Sequence, residues 1–330
     1  MELTKPSYFD RFRCLAGTCP DSCCQEWAVV VDPESAARYA ALPGDLGDRL
    51  RAAMTEEDGD VILDLTPDRR CPMWRRDGLC RIQAALGEEA LCHTCRQFPR
   101  LRHDYGDFVE LGLELSCPEA ARLILESREQ TVTTEIPGGE EADYDREAMD
   151  ILKASRAQAL ALLEDLRFTP GQALAILLIY GYGVQNQLDG GEPALLSPEE
   201  DLQRTQSLAG AGDPKAILDF YGTLEILTDR WRSRLEHPQD SSWCEGHRLL
   251  ARYFVQRYWL QAVSDYDLVS RVKLAVCSCL VIRLLGGNLA ETAQLYSKEI
   301  ENDADNVDAL LDGAYTAPAL TDTALLGLLL

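Results

Sequence analysis

Nine cysteines crowd the first 117 residues of this chain: Cys14, Cys19, Cys23, Cys24, Cys71, Cys80, Cys92, Cys95 and Cys117. Thiolates are soft ligands that suit zinc or an iron-sulfur cluster, and the Cys92-His-Thr-Cys95 spacing lets two sulfurs reach one ion. A free cysteine is also an ordinary small hydrophobe. That reading suits Cys244, Cys277 and Cys279, which fall within apolar helical patterns. It does not suit the nine, whose neighbours Pro20, Asp21, Gln25, Arg76, Arg96 and Arg100 make a polar, turn-rich setting. The nine are therefore the candidate metal ligands, and the residues alone leave zinc and iron-sulfur both open. His93 reads as a spacer inside the CxxC. Cys23 and Cys24 are expected to point in different directions, one of them toward a second metal or the core.

Other residue types are compatible with chemistry but have simpler readings. Arg96 and Arg100 flank Gln97-Phe98-Pro99 and are candidates for cofactor binding, or for neutralising thiolates. Glu110 and Glu114 lie on a candidate strand and are candidates for a general base or an amine-binding carboxylate, or are plain solvent-facing positions. Trp27 and Trp74 each follow a cysteine block and read as core.

These residues must be held by a chain of 330 residues, long enough for one large or two ordinary domains without disulfide support. The start, MELTKPSYFD, lacks a secretory pattern, and no apolar run approaches the roughly 20 residues that span a bilayer. The expectation is a cytoplasmic protein without membrane insertion, in a reducing compartment where clustered thiols hold metal more often than disulfides. The net charge of −23 argues against nucleic acid as a partner. An acidic surface of this kind is ordinarily a solvated one, and it would also attract a cationic partner. Against this acidic background Arg69, Arg70, Arg75, Arg76, Arg81, Arg96, Arg100 and Arg102 form a basic island with a local balance of +5.

The pattern predicts a mainly α protein: a cysteine-rich metal-binding N-terminal region with short strands (1–129), followed by an all-helical domain (146–330). Between them the polar stretch 130–145 reads as a loop or boundary. Strands are expected over 60–65 and 107–115, and a helix is expected after the Asp32-Pro33 start. A second helix is expected at SCPEAARLILESR, with Ser116 and Glu119 in capping-box spacing and Cys117 at its N-terminus. Further helices are expected over about 146–166, 171–186, 214–236, 246–263, 267–285 and 289–302, and the terminal ALLGLLL reads as buried helix.

Three segments carry a resemblance. FRCLAGTCPDSCCQEWAVVVD, CPMWRRDGLCRIQAALGEEALCHTCRQFPR and VELGLELSCPEAARLIL, in that order over roughly residues 8–125, resemble the signature blocks of the flagellin lysine N-methylase family. That family is akin to small proteins described as zinc- or iron-chelating CxxCxxCC domains. The resemblance implies an enzyme that methylates lysine side chains of flagellin with S-adenosylmethionine, its cysteine blocks holding an iron-sulfur (4Fe-4S) cluster. The competing reading is a non-catalytic zinc- or iron-sulfur-binding carrier or interaction module. A Gly-rich strand-to-helix turn for a nucleotide is not evident, and LAGAGDP (208–214) reads as a loop. A radical-type CxxxCxxC is absent too, because Glu26 follows Cys19 and Cys23 at the third position. Methyl transfer to an amine needs no radical.

Overall fold

The computed structural model describes residues 1–57, 59–126 and 131–330. Its seven strands are β1 (Glu2–Pro6), β2 (Val29–Val30), β3 (Met54–Glu57), β4 (Asp60–Leu63), β5 (Arg100–Asp104), β6 (Phe108–Leu113) and β7 (Thr131–Glu135). They form a four-stranded sheet in the order β5-β6-β1-β7 and a three-stranded sheet in the order β2-β4-β3. Only the β1–β6 pair is parallel. The two strands expected from apolar alternation are β4 and β6. Strand β7 corrects the loop expected there: its Thr-Val-Thr-Thr run is β-prone but wholly exposed, so no alternation marks it. Gln130, at the head of that loop, and residues 127–129 of the expected boundary lie outside the described residues.

Among the described residues fifteen α-helices follow the strands or lie between them, and every regular element from Arg146 onward is helical. Asp32 opens the first as expected, its Oδ1 accepting the Ser35 N–H at 2.9 Å. The capping box expected at Ser116 does not form. The helix is Pro118–Glu126, the Ser116 hydroxyl donates to Glu114 at 3.2 Å, and Glu119 is taken by Arg122 at 2.7 Å. Cys117 does precede the first helical residue. The helix expected over 214–236 is two, Pro214–Tyr221 and Asp229–Glu236. The break has a tertiary cause: Glu299 accepts the Leu227 N–H at 2.8 Å and the Thr228 hydroxyl, and the Thr228 oxygen then caps the second helix at the Trp231 N–H. No helix among the described residues is long and apolar enough to cross a membrane.

Two cores result. The larger joins Tyr8, Phe12, Phe108, Leu115 and Cys117 to Met149, Phe254 and Trp259, so it draws on both ends of the chain. At its centre the helix Leu268–Leu285 is buried on nearly every side, against Pro170–Leu188, Glu245–Tyr258 and Ala304–Thr316. The smaller core contains Val29, Val31, Tyr39, Leu50, Leu63, Met73 and Ile82, and five cysteines named below belong to it or pack against it.

The segment CPDSCCQEW is fastened to the helical half by a π-helical turn, Ser297–Glu301, which follows the helix Leu289–Tyr296. Such turns carry one extra residue and redirect side chains, often at functional sites. Lys298, 3% exposed, donates from Nζ to Asp21 Oδ1 at 2.8 Å and lies 4.9 Å from the Trp27 ring centroid. Gln294 donates to Asp21 Oδ2 at 2.9 Å and to the Ser116 carbonyl at 2.8 Å. Burial alone would raise the Asp21 carboxyl, but the Lys298 charge and the hydrogen bonds from Lys298, Gln294 and Gln25 pull it below its ordinary 3.8.

Removing one partner of a buried pair strands the other charge, so Lys298→Met is expected to cost about 3–5 kcal/mol in urea unfolding. A cost near zero would show that Asp21 is hydrated in spite of its burial. Because the folded-state value of Asp21 is depressed, the pair's stabilisation is complete above about pH 3.8 and is lost as pH falls through the lower folded value. Acid unfolding of Asp21→Asn is therefore expected to be shallower than that of the parent below pH 3.8.

Candidate metal and substrate site

The nine N-terminal thiols fall into two neighbourhoods. Cys24, Cys71, Cys80, Cys92 and Cys95 all belong to or pack against the smaller core. The Cys71 N–H donates to the Cys24 carbonyl at 2.9 Å, Cys80 bridges Trp74, and Cys92 precedes the short helix His93–Gln97 that carries Cys95. Asp32 ties this helix to the first one, since its second oxygen accepts the His93 N–H at 2.7 Å. The second neighbourhood holds Cys14, Cys19, Cys23 and Cys117, where a charge on Cys14 raises each of the other three. There Cys19 donates to the Asp21 carbonyl at 3.3 Å, and Cys117 is buried at the start of its helix.

The Cys23 and Cys24 side chains part in burial, as expected for adjacent residues, while their thiols stay close enough to share a hydrogen bond. Cys24 faces the smaller core while Cys23 is exposed. The bond from Cys23, helped by Ser22 and by the charge of Arg70, draws Cys24 down to about 7 against burial. Cys95 does the same for Cys92, also to about 7, and is itself held high. Elsewhere burial dominates, pushing Cys71 up to about 12 and Cys117 up to about 11. The donors suit a thiolate-bound metal: five soft ligands share one small core, and two of them ionise near neutrality. As placed, no three Cys, His, Asp or Glu side chains among the described residues form a group that could hold a metal ion.

The other sequence candidates sit apart from the thiols or are already engaged. Arg96 reaches Glu89 at 3.6 Å and Arg100 lies over the Phe12 ring at 5.3 Å, whereas the arginine felt by Cys24 is Arg70. Much of the basic island is paired locally: Arg69 with Glu26, Arg75 with Asp77 and Arg102 with Asp104. Trp27 and Trp74 are half-buried rather than core, packed against Lys298 and Arg70 respectively. Cys277 and Cys279 are buried as expected, but Cys244 is exposed at a helix start, 3.2 Å from His247 Nδ1. Glu110 is held by both terminal nitrogens of Arg156, at 2.5 and 2.8 Å. Burial and the neighbouring Glu301 raise Glu114, against the opposing charge of Arg257.

What the sequence reading missed is His103, directly across from Glu110 in the β5–β6 register. Strand β5 reads Arg-Leu-Arg-His-Asp, with one apolar residue, so neither alternation nor a motif marks it. His103 lines a cavity of about 120 Å³ together with Tyr8, Glu110, Arg156, Tyr253 and Arg257. Burial, with Arg257 nearby, lowers its pKa below the ordinary 6.5, and its buried Nε2 has no hydrogen-bond partner among the described residues. The same histidine lines a second, open groove of about 1110 Å³, walled by Tyr105, Tyr144 and Tyr266 and by Glu140, Glu141 and Asp143. The small cavity cannot take a nucleoside-sized donor, and the groove has ample volume for one. The 208–214 loop is no alternative: a Cβ at Gly210 would meet Thr323 at 2.5 Å and one at Gly212 would meet Leu328 at 2.5 Å, so the chain's own last helix fills it.

Over 134 residues the chain is 34% identical to a protein named lysine-N-methylase from Salmonella typhimurium and 33% identical to one of the same name from Salmonella choleraesuis. Each alignment covers 37% of this chain and 32% of the relative, so the chain matches about a third of those proteins' length. It is also 33% identical over 134 residues to the flagellar biosynthetic protein FliU of Salmonella muenchen, covering 37% of this chain and 76% of FliU. No family model and no solved structure matches the chain. With that share of FliU matched at that identity, and with the cysteine blocks that carry the resemblance gathered in space, the chain belongs to the flagellin lysine N-methylase family.

Proposed function

We propose that this chain transfers methyl groups from S-adenosylmethionine to lysine side chains of flagellin, on a scaffold whose thiols hold an iron-sulfur cluster or zinc. Family membership supports the reaction class. The structural observation that carries the reading is His103, a half-buried imidazole whose pKa burial lowers and whose Nε2 has no hydrogen-bond partner among the described residues, lining both the small cavity and the acidic groove.

When bound, the donor supplies an electrophilic methyl on a sulfonium. The chain's own tasks are to align the lysine, strip its proton and exclude water. A lysine amine is a nucleophile only once its ammonium has lost a proton, and His103 Nε2 is the acceptor placed to take it. Glu110, engaged by Arg156, lies across from the histidine in the β5–β6 pair. Glu114, Glu301, Tyr253 and Arg257 form the buried polar network behind it, with Tyr253 accepting from Arg257 Nη1 at 2.6 Å. Cys24, Cys71, Cys80, Cys92 and Cys95 would hold one metal centre, with Cys14, Cys19, Cys23 and Cys117 as the second thiol set. A metal there would join segments distant in sequence, so its binding free energy would add to folding free energy.

The direct test is anaerobic incubation of the metal-loaded chain with methyl-labelled S-adenosylmethionine and flagellin, with label expected on lysine. Metal and donor binding without transfer would favour the carrier reading instead. His103→Gln is expected to lower kcat about 100-fold with little change in KM for flagellin, and unchanged kcat would remove His103 from the reaction. Metal analysis of purified variants separates the thiols. Cys92→Ser should lose most of the bound metal and Cys277→Ser none, and a colourless zinc-loaded sample would exclude the cluster.

A further inference from the structure

The groove beside His103 has a chemical character of its own. One wall is the tip of the β5–β6 hairpin, Asp104 to Gly106, and the other is the segment running from Gly139 to Tyr144. The walls are joined by backbone: the Glu140 N–H donates to the Gly106 carbonyl at 3.0 Å. Gly106 has φ +89°, and a Cβ there would come within 3.1 Å of the Glu141 carbonyl, so the close approach requires glycine. Aromatic packing stiffens both sides. Tyr105 stacks on Phe108 with centroids 4.6 Å apart, and Tyr144 stands edge-on to both rings while its hydroxyl donates to Asp107 at 2.8 Å. Tyr266 closes the third side. It is held in the left-handed region at φ +59°, a strained choice for a tyrosine, with its hydroxyl donating to Asp145 at 3.0 Å.

The charge in this groove is one-sided. Arg102 is spent on Asp104 at 2.6 Å, and the Met1 ammonium is used by the carbonyls of Ile136 and Gly138. Glu140, Glu141 and Asp143 make no ion pair among the described residues. A concave surface with three unpaired carboxylates beside electron-rich ring faces attracts a cation and can take it out of water at moderate cost. His103 also lines this groove.

We propose that this groove seats a lysine-bearing segment of the protein substrate, with the lysine stem against Tyr105, Tyr144 and Tyr266 and its ammonium drawn in by Glu140, Glu141 and Asp143. The assignment rests on the methylase reading for its choice of lysine, but it concerns binding and is tested without transfer. Quaternary and partly methylated amines keep their positive charge, so the groove holds product as well as substrate.

The test uses the full chain without donor and a synthetic peptide with two lysines in a Ser/Gly/Asn background, followed by calorimetry and fluorescence. The triple variant Glu140→Gln, Glu141→Gln, Asp143→Asn alters exposed side chains only, and its thermal unfolding is expected to match the parent. Its affinity for the peptide is expected to fall about tenfold or more, and its response to salt between about 0.05 M and about 0.5 M to flatten. The control Asp305→Asn, Asp308→Asn, Asp312→Asn removes the same charge from the exposed face of a distant helix and should leave binding unchanged. The peptide with glutamine at both lysine positions should bind neither protein.

Unchanged peptide affinity in the triple groove variant, equal losses in both triple variants, or no peptide binding by the parent would each overturn the assignment. Loss of donor binding with peptide binding intact would give the groove to the donor and overturn it likewise. The two proposals fail separately. Groove-dependent peptide binding without methyl transfer by the parent sinks the methylase reading alone, and full transfer by the triple variant sinks the groove alone.

Discussion

The buried ion pair between Asp21 and Lys298 is the constraint on which the arrangement depends. Two charges taken out of water are expensive, and attraction alone seldom repays the loss. Here every oxygen of Asp21 is occupied: Gln25 at 2.6 Å, Lys298 at 2.8 Å and Gln294 at 2.9 Å share its two carboxylate atoms. Lys298 adds a contact with the Trp27 ring. Satisfying the pair so fully fixes one orientation between the cysteine-rich segment and the helical half. The same π-helical turn then works in three directions. Lys298 faces the thiol motif, Glu299 breaks the chain at Leu227 and Thr228, and Glu301 receives Tyr253, Arg257 and Tyr258.

The polar network behind His103 is thus mechanically continuous with the loop that carries Cys19 and Cys23. Asp21 lies between those cysteines, Glu301 lies three residues beyond Lys298, and Arg257 reaches from Glu301 toward the cavity that His103 lines. A rearrangement of the thiols on metal binding would be felt at Asp21 first. The smaller core has its own tie, because one carboxylate, Asp32, caps two helices and places the CxxC against the first helix. Backbone N–H bonds from His93 and Ser35 hold that carboxyl at about 2, so it stays ionised at neutral pH.

Charge acts at two scales. The overall −23 sets a diffuse attraction for basic partners, but it does not choose a site. The difference comes from pairing: half of the basic island's arginines are spent on nearby carboxylates, and Arg102, the arginine in the groove that Glu140 to Asp143 face, is among them. Local pairing, not composition, leaves this one acidic stretch without cationic partners among the described residues.

The sequence by itself determined the elements whose signals are local. Asp32-Pro33 starts a helix because side chain and ring act within one turn, and the long apolar periodicities of 146–164 and 268–285 specify helices whatever surrounds them. It also marked the nine thiols as a set, because residue type and polar context need no third dimension. What it could not determine was how they divide, since Cys24 joins Cys71, Cys80, Cys92 and Cys95 only through packing across some seventy residues of chain. Tertiary contacts also overrode local preference at 214–236, where Glu299 interrupts a sound helical pattern, and at Ser116, whose hydroxyl prefers Glu114 to the backbone. His103 carries no sequence signal at all. A histidine's role depends on what surrounds its ring, and while Glu110 faces it from the next strand, Arg257 and the groove's Glu140 to Tyr144 wall come from parts of the chain beyond that hairpin. Chemistry that resides in one side chain can be read from the sequence, while chemistry that resides in the space between side chains exists only once the chain has folded.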